Sequence, residues 1–263
     1  MGTDGYLPQY KFTVSEVVDA FRCPMYFFLK RSGAKGSFVY KSDGIGTLFH
    51  SILNKIVNEI KSPTLFKIDI ADKPLIELDK IITEELYRLF LEEVKRKDYT
   101  RNLDTAWKEI ETMGLFFSKK FTRKSEQEVN DMLIFTERHI EFIMNNAHIK
   151  GKIDLLLKEG MTISLIDYKT KEEDISTDVI QISLYKYGIE EMLGERVIPK
   201  IFYVSNGVLE EKRFTEKEYQ KMLPIIKNKI LDMENYIEGR AKPYRSKNTG
   251  ICNFCTLKRI CSV

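Results

Sequence analysis

Four cysteines constrain this chain more than any other feature, because of where they stand. Cys252, Cys255 and Cys261 form a C-x2-C-x5-C cluster at the C-terminal end, and Cys23 stands near the start. In a reducing compartment disulfides are disfavoured, and a C-x2-C pair suggests a metal or cluster site. Four thiolates can hold either a tetrahedral zinc or a four-iron cluster. Zinc ribbons usually bring two close pairs, whereas here three thiols are grouped and the fourth lies at the far end of the chain. That asymmetry favours a 4Fe-4S cluster clipping the two chain ends together, and closing so long a loop constrains the unfolded chain strongly. A chance C-x2-C with Cys23 as a buried core thiol is the bland reading. It is disfavoured because no cysteine is left over.

Composition sets the outer bounds. A chain of 263 residues is one large domain, or a core domain with a substantial insertion. With 43% hydrophobic residues it is too apolar for disorder. No apolar run approaches the roughly 20 residues needed to span a bilayer. The stretch Met1-Gly2-Thr3-Asp4-Gly5-Tyr6 is polar, without the pattern of a signal peptide or a myristoylation site. A soluble cytoplasmic protein with no membrane partner is the expectation. A net charge of +3 neither demands nor excludes nucleic acid.

Along the chain, Thr13-Val14-Ser15-Glu16 reads as a capping box opening a helix through Phe21. Pro24 restarts an apolar segment over 25–29, and Gly33, Gly36, Gly44 and Gly46 mark a loop region. Helical spacing follows over 48–60, from Pro74 to about Lys97, and over 103–121. Basic clusters trail the last two, at 95–97 and 119–124. Near residue 131 the pattern turns to strands, over 132–143, 149–158 and 162–169. Ser176 or Thr177 then caps a helix to about Leu193. Strands over 200–205 and 208–214 join through Asn206-Gly207, and a helix carrying Pro224 covers about 215–238. The order implies an α/β fold: a mixed sheet with a three-strand meander and a βαβ crossover.

Asp154 lies in Gly151-Lys152-Ile153-Asp154, and Asp167 and Lys169 lie in Ile166-Asp167-Tyr168-Lys169. If Glu159-Gly160 forms the hairpin loop, Asp154 pairs with Leu165, and both aspartates and Lys169 share one face in diagonal contact. The strands are otherwise apolar, and close buried like charges need compensation. A divalent cation with oxygen ligands supplies it. An ordinary strand-end salt bridge would explain one such pair, but less readily all three residues. His50 sits at the edge of the apolar stripe in Gly46-Thr47-Leu48-Phe49-His50; alone it would more often be structural. Gln181 and Tyr185 lie one turn apart on the crossover helix, by themselves a weak signal.

Taken in order, these pieces resemble the PD-(D/E)XK nuclease superfamily, in its RecB-like branch with an iron–sulfur cluster. That branch includes the CRISPR-associated exonucleases and the nuclease domains of certain repair helicases. The matching pieces are Cys23-Pro24, Gly46-Thr47-x2-His50, Gly151-x2-Asp154, Asp167-Tyr168-Lys169, Gln181-x3-Tyr185 and Cys252/Cys255/Cys261. The resemblance implies a restriction-endonuclease-like αβββαβ core within a single domain over 1–263. A helical insertion would fill 55–130, and a cluster-binding region over 240–263 would pair with Cys23. It also implies that His50, Asp154, Asp167 and the Tyr168 carbonyl ligate Mg²⁺ or Mn²⁺. Lys169 would orient or activate the attacking water and help offset charge in the transition state, and Gln181 and Tyr185 would position the strand or the lysine. One of Glu137, His139 and Glu141 is a candidate auxiliary ligand if the loop at Asn145-Asn146 has even length. The expected activity is metal-dependent exonuclease digestion of single-stranded DNA or DNA ends, in CRISPR adaptation, defence or repair. Partners would be adaptation proteins or a helicase. The rivals are a catalytically silent DNA-binding or assembly subunit, and a regulator whose cysteines hold structural zinc.

Overall fold

Thr13 ends a short strand, β1 (Tyr10–Thr13), and caps the helix that follows, α1 (Val14–Arg22). Its hydroxyl accepts from the Glu16 amide at 3.1 Å while the Glu16 carboxylate accepts from the Thr13 amide at 2.7 Å. This reciprocal cap satisfies amides that a helix start leaves unpaired. Pro24, which has no amide to leave unpaired, opens α2 (Pro24–Arg31). The computed structural model describes residues 8–38, 45–61, 69–100, 102–170 and 175–261. The Met1–Tyr6 stretch and Gly44 lie outside them.

Four helices follow: α3 (Ile45–Lys61), α4 (Leu75–Lys97), α5 (Leu103–Phe121) and α6 (Glu126–Met132). Gly46 stands in the first turn of α3 rather than in the loop before it. The sequence reading did not anticipate α6, although its signal is a second capping box between Ser125 and Glu128. The remaining elements are β2 (Leu133–Met144), β3 (Ala147–Glu159), β4 (Thr162–Lys169), α7 (Ile175–Leu193), β5 (Val197–Ser205), β6 (Val208–Arg213) and α8 (Glu216–Ile237). Two short turns of helix, α9 (Thr249–Cys252) and α10 (Lys258–Cys261), carry Cys252 and Cys261, and Cys255 between them bridges to Phe38. Ser176 and Thr177 lie inside the first turn of α7 instead of capping it.

The sheet is mixed, as expected, and has six strands because β1 joins it. β3 pairs antiparallel with β2 along nearly its whole length. Its other edge is shared: β1 runs parallel to Ala147–Lys150, and β4 runs antiparallel to Leu155–Glu159. β4 and β5 are parallel, with α7 as the crossover, and β6 completes the edge. One expectation is corrected. The β3–β4 loop is Gly160-Met161, with Glu159 paired to Thr162. Gly160 takes φ +59°, as the first central position of a tight II′ hairpin turn requires. Leu156 therefore pairs with Leu165, where Asp154 was expected, and the ladder ends at Leu155↔Ile166, so Asp154 and Asp167 lie just past its end.

Each face of the sheet has its own core. On one, α1, α7 and α8 pack through Val17, Ile182 and Ile226 against Ile149 and Leu165. On the other, α3 to α6 pack through Phe49, Leu86, Phe117 and Val129 against Leu155 and Phe202. Each fully buried side chain of this size contributes about 1.5–3 kcal/mol. The helices within 55–130 therefore form one layer of the α/β/α stack. Cys23, Tyr26 and Leu257 make a third, small cluster joining the two ends of the chain.

Candidate active site

Between Lys150 and Leu155, the shared edge of β3 has no ladder partner among the described residues. β4 diverges there and β1 has ended, so a fork opens in the sheet. Asp154 stands in it. Its Oδ2 accepts from the Tyr168 amide at 2.8 Å, a side chain continuing the ladder where the backbones separate. Its Oδ1 lies 3.3 Å from His50 Nδ1, which α3 delivers from the opposite helical layer. Across β3, Glu137 of β2 places Oε1 3.5 Å from the same nitrogen and also pairs with Lys152. Glu137 holds φ +47°, a left-handed backbone inside a strand that costs about 1–3 kcal/mol in a non-glycine residue. His50, Glu137 and Asp154 thus offer ligand atoms all within 4.8 Å of one another.

Asp167 and Lys169 enter from the end of β4. Asp167 is 2% exposed, and Lys169 Nζ lies 2.7 Å from its Oδ2. Gln181 on α7 accepts from Lys169 at 3.0 Å and donates to Asp167 at 3.2 Å and to the Tyr185 hydroxyl at 3.3 Å. Asp178 lies 3.8 Å from Lys169 and accepts from Tyr203. Gly151 explains how Tyr185 reaches this position: a Cβ there would stand 2.7 Å from its ring and 2.9 Å from Val14. The Tyr168 ring turns the other way, against Phe49 and His50, so only its backbone serves the fork. Of the three candidates on β2, Glu137 alone meets His50 and Asp154. His139 is exposed, and Glu141 pairs with His148 and Lys150. The sequence left that choice open because an αL residue in mid-strand has no local signature when it is a glutamate.

The electrostatics decide what such a cluster wants. Burial works against a charged His50, yet Asp154, Glu137 and Asp167 raise its pKa to about 10. Burial pushes Asp167 up to about 6 against the pull of Lys169, with Asp154 adding to the rise. Asp154, for all its burial, is held below the usual carboxylate range by His50. For Lys169, burial is outweighed by Asp167 and Asp178, and its pKa rises. Carboxylate oxygens with one imidazole suit a hard divalent cation such as Mg²⁺ or Mn²⁺.

The four cysteines are free thiols and line one cavity of about 110 Å³ with Tyr26, Phe38 and Leu257. Burial raises the Cys255 pKa, and the charges of Cys23, Cys252 and Cys261 add to it. Mutual repulsion of this kind is what a bound cationic centre removes, so the donor set fits a metal cluster. At the exposed end of α4, Arg96 and Lys97, with Lys55 of α3, pair with the fully buried Glu93. Lys120 pairs with Glu159. No helix among the described residues is long and apolar enough to cross a membrane.

The family model of the PD-(D/E)XK nuclease superfamily matches residues 11–262. No curated protein sequence matches the chain. Among solved structures, one from Eubacterium rectale described as a "putative exonuclease" is 13% identical. The match covers 94% of this chain and 90% of that one, with a TM-score of 0.52, a likeness of fold. A second, SSO0001, is 14% identical over 96% of this chain and 86% of that one, with a TM-score of 0.42.

Proposed function

The chain belongs to the PD-(D/E)XK nuclease superfamily, and from that premise we propose that it is a divalent-metal-dependent DNA exonuclease acting on single-stranded ends, in defence or repair. One observation carries the reading: His50, Glu137 and Asp154 meet Asp167, Lys169 and Gln181 at a single fork in the sheet. His50, Asp154, Asp167 and the Tyr168 carbonyl would hold Mg²⁺ or Mn²⁺, with Glu137 as auxiliary ligand. When bound, such an ion polarises the scissile phosphate and lowers the pKa of its water. Lys169 stays protonated, orients the attacking water and offsets negative charge developing on the phosphate. Gln181 ties Lys169 to Asp167, and Tyr185 orients Gln181.

Digestion of end-labelled single-stranded DNA in Mn²⁺, with EDTA as control, tests this. Asp167→Asn and Lys169→Ala are expected to lose at least about 10²–10³ in rate while retaining the wild-type circular dichroism spectrum. Undiminished digestion by Asp167→Asn would sink the assignment. A wild type that binds DNA but never cuts it would favour a silent subunit, and cleavage of circular single strands would replace exonuclease with endonuclease.

The same reading gives Cys23, Cys252, Cys255 and Cys261 a 4Fe-4S cluster, supported by their common cavity and their three-plus-one layout. Anaerobically purified protein is expected to be brown, with four irons per chain for a full cluster. A colourless, zinc-containing protein would overturn it.

A further inference from the structure

Asp178 stands near the start of α7, one turn before Gln181 and on the same side of the helix. It is only 2% exposed, and its two carboxylate oxygens face different partners. The Tyr203 hydroxyl donates to Oδ2 at 3.0 Å, and Oδ1 lies 3.8 Å from Lys169 Nζ. The sheet makes this meeting possible, because Tyr203 of β5 is the register partner of Lys169 at the end of β4. Lys169 Nζ therefore has acceptors at three distances: Asp167 Oδ2 at 2.7 Å, Gln181 Oε1 at 3.0 Å and Asp178 Oδ1 at 3.8 Å. The shortest of these contacts is one of charge, for Asp167 Oδ2 is buried and has no hydrogen-bond partner among the described residues. The longest lies beyond hydrogen-bond range.

Resting on the nuclease reading above, we infer that Asp178 is a positioning residue, the second seat of the Lys169 ammonium when Asp167 is committed to a metal ion. The orphaned Oδ2 of Asp167 is the oxygen that a cation would claim, and Lys169 occupies the space beside it. A carboxylate that ligates a divalent ion no longer neutralises an ammonium next to it, and the two cations repel. Lys169 is a point charge on a flexible stem, so a shift of about 1 Å would bring it into hydrogen-bond range of Asp178 Oδ1. Asp178 is fixed for that role. Tyr203 holds its other oxygen, and burial makes an unpaired carboxylate there costly. Held at Asp178, the lysine stays at the fork with Gln181 beside it and does not compete with the metal for Asp167.

Calorimetric titration with Mn²⁺ tests the proposal on wild type, Asp178→Asn, Lys169→Met and the double variant. Asp178→Asn is expected to weaken Mn²⁺ binding by about 10–100-fold, because Lys169 then stays on Asp167. Lys169→Met removes that competitor, so in its background Asp178→Asn should cost about threefold or less, and the cycle is non-additive. With end-labelled single-stranded DNA at saturating Mn²⁺, Asp178→Asn should lower kcat by about tenfold or more and leave KM unchanged. Tyr203→Phe, which keeps the charge and removes its anchor, should shift both readouts the same way by about two- to tenfold. Its cycle with Lys169→Met decides the matter if Asp178→Asn does not fold. Equal weakening by Asp178→Asn in both backgrounds would overturn the role of Asp178, as would unchanged Mn²⁺ binding in both Asp178→Asn and Tyr203→Phe. Digestion by the wild type would in either case keep the nuclease reading. A non-additive cycle in a protein that cuts no DNA would overturn the nuclease reading and leave Asp178 in place. A wild type that takes up no Mn²⁺ would overturn both.

Discussion

A protonated His50 among Asp154, Glu137 and Asp167 does electrically what a divalent cation would do. Its pKa of about 10 sets two expectations. The folded value lies above the ordinary 6.5, so the stability it contributes to metal-free protein is complete below pH 6.5 and is lost as pH rises through about 10. Thermal denaturation of metal-free wild type should fall across that window, and His50→Gln should flatten the fall. A cation bound through the imidazole must displace the proton. Affinity for Mn²⁺ should therefore climb from pH 6 to pH 9, by up to about tenfold per unit. Calorimetry in buffers of different ionisation enthalpy should show about one proton released. Affinity indifferent to pH would mean that His50 is not a ligand. Glu137 belongs to the same account: its strained backbone is the kind of outlier that clusters at functional sites. Glu137→Gln should weaken Mn²⁺ binding by about 10–100-fold, as loss of a supporting carboxylate does.

Among the elements, β3 matters most because its one edge serves two strands. The gap between β1 and β4 leaves residues 151–154 without ladder partners there among the described residues, which frees Asp154 to use its carboxylate on the Tyr168 amide. Gly151 opens the same gap to α7. Gly151→Ala would drive a methyl group into the Tyr185 ring, and overpacking of that kind costs about 1–3 kcal/mol. Urea unfolding should register that loss. Digestion should fall as well, because displacing Tyr185 unseats Gln181. A variant with wild-type stability and rate would show that the contact positions nothing. The Gly151-x2-Asp154 spacing was legible in the sequence, but its reason was not. A glycine in a strand pattern announces a close approach without naming what approaches.

At the scale of the whole molecule, the cysteine cavity ties α2 to the segment after α8. With a cluster bound there, loss of a ligand should loosen both chain ends while the sheet holds. Hydrogen exchange on Cys255→Ser is expected to show faster exchange over 24–38 and 245–261, with β3 to β5 as protected as in wild type. Uniform loosening would place the cysteines in the folding core instead, and no change would deny them any clamping role. The helices within 55–130, which stood outside the motif order and read as an insertion, share a core with α3 against one face of the sheet.

The sequence by itself determined the elements with strong local signals. The Thr13–Glu16 capping box, apolar periodicity and Asn206-Gly207 placed most helices and the β5–β6 hairpin, and two aspartates with a lysine announced a charged site in an apolar sheet. Those signals act within a few residues, which is why they survive without a fold. β1 escaped because four residues carry too little pattern against their neighbours, and α6 because its seven residues were absorbed into the strand pattern despite the Ser125–Glu128 cap. Only the tertiary structure decided the fork in β3, the meeting of His50 with Asp154 there, and the selection of Glu137 over His139 and Glu141. Each depends on which strand edge or helix face lies opposite. That is set by the balance of packing over the whole sheet, not by any local run of residues.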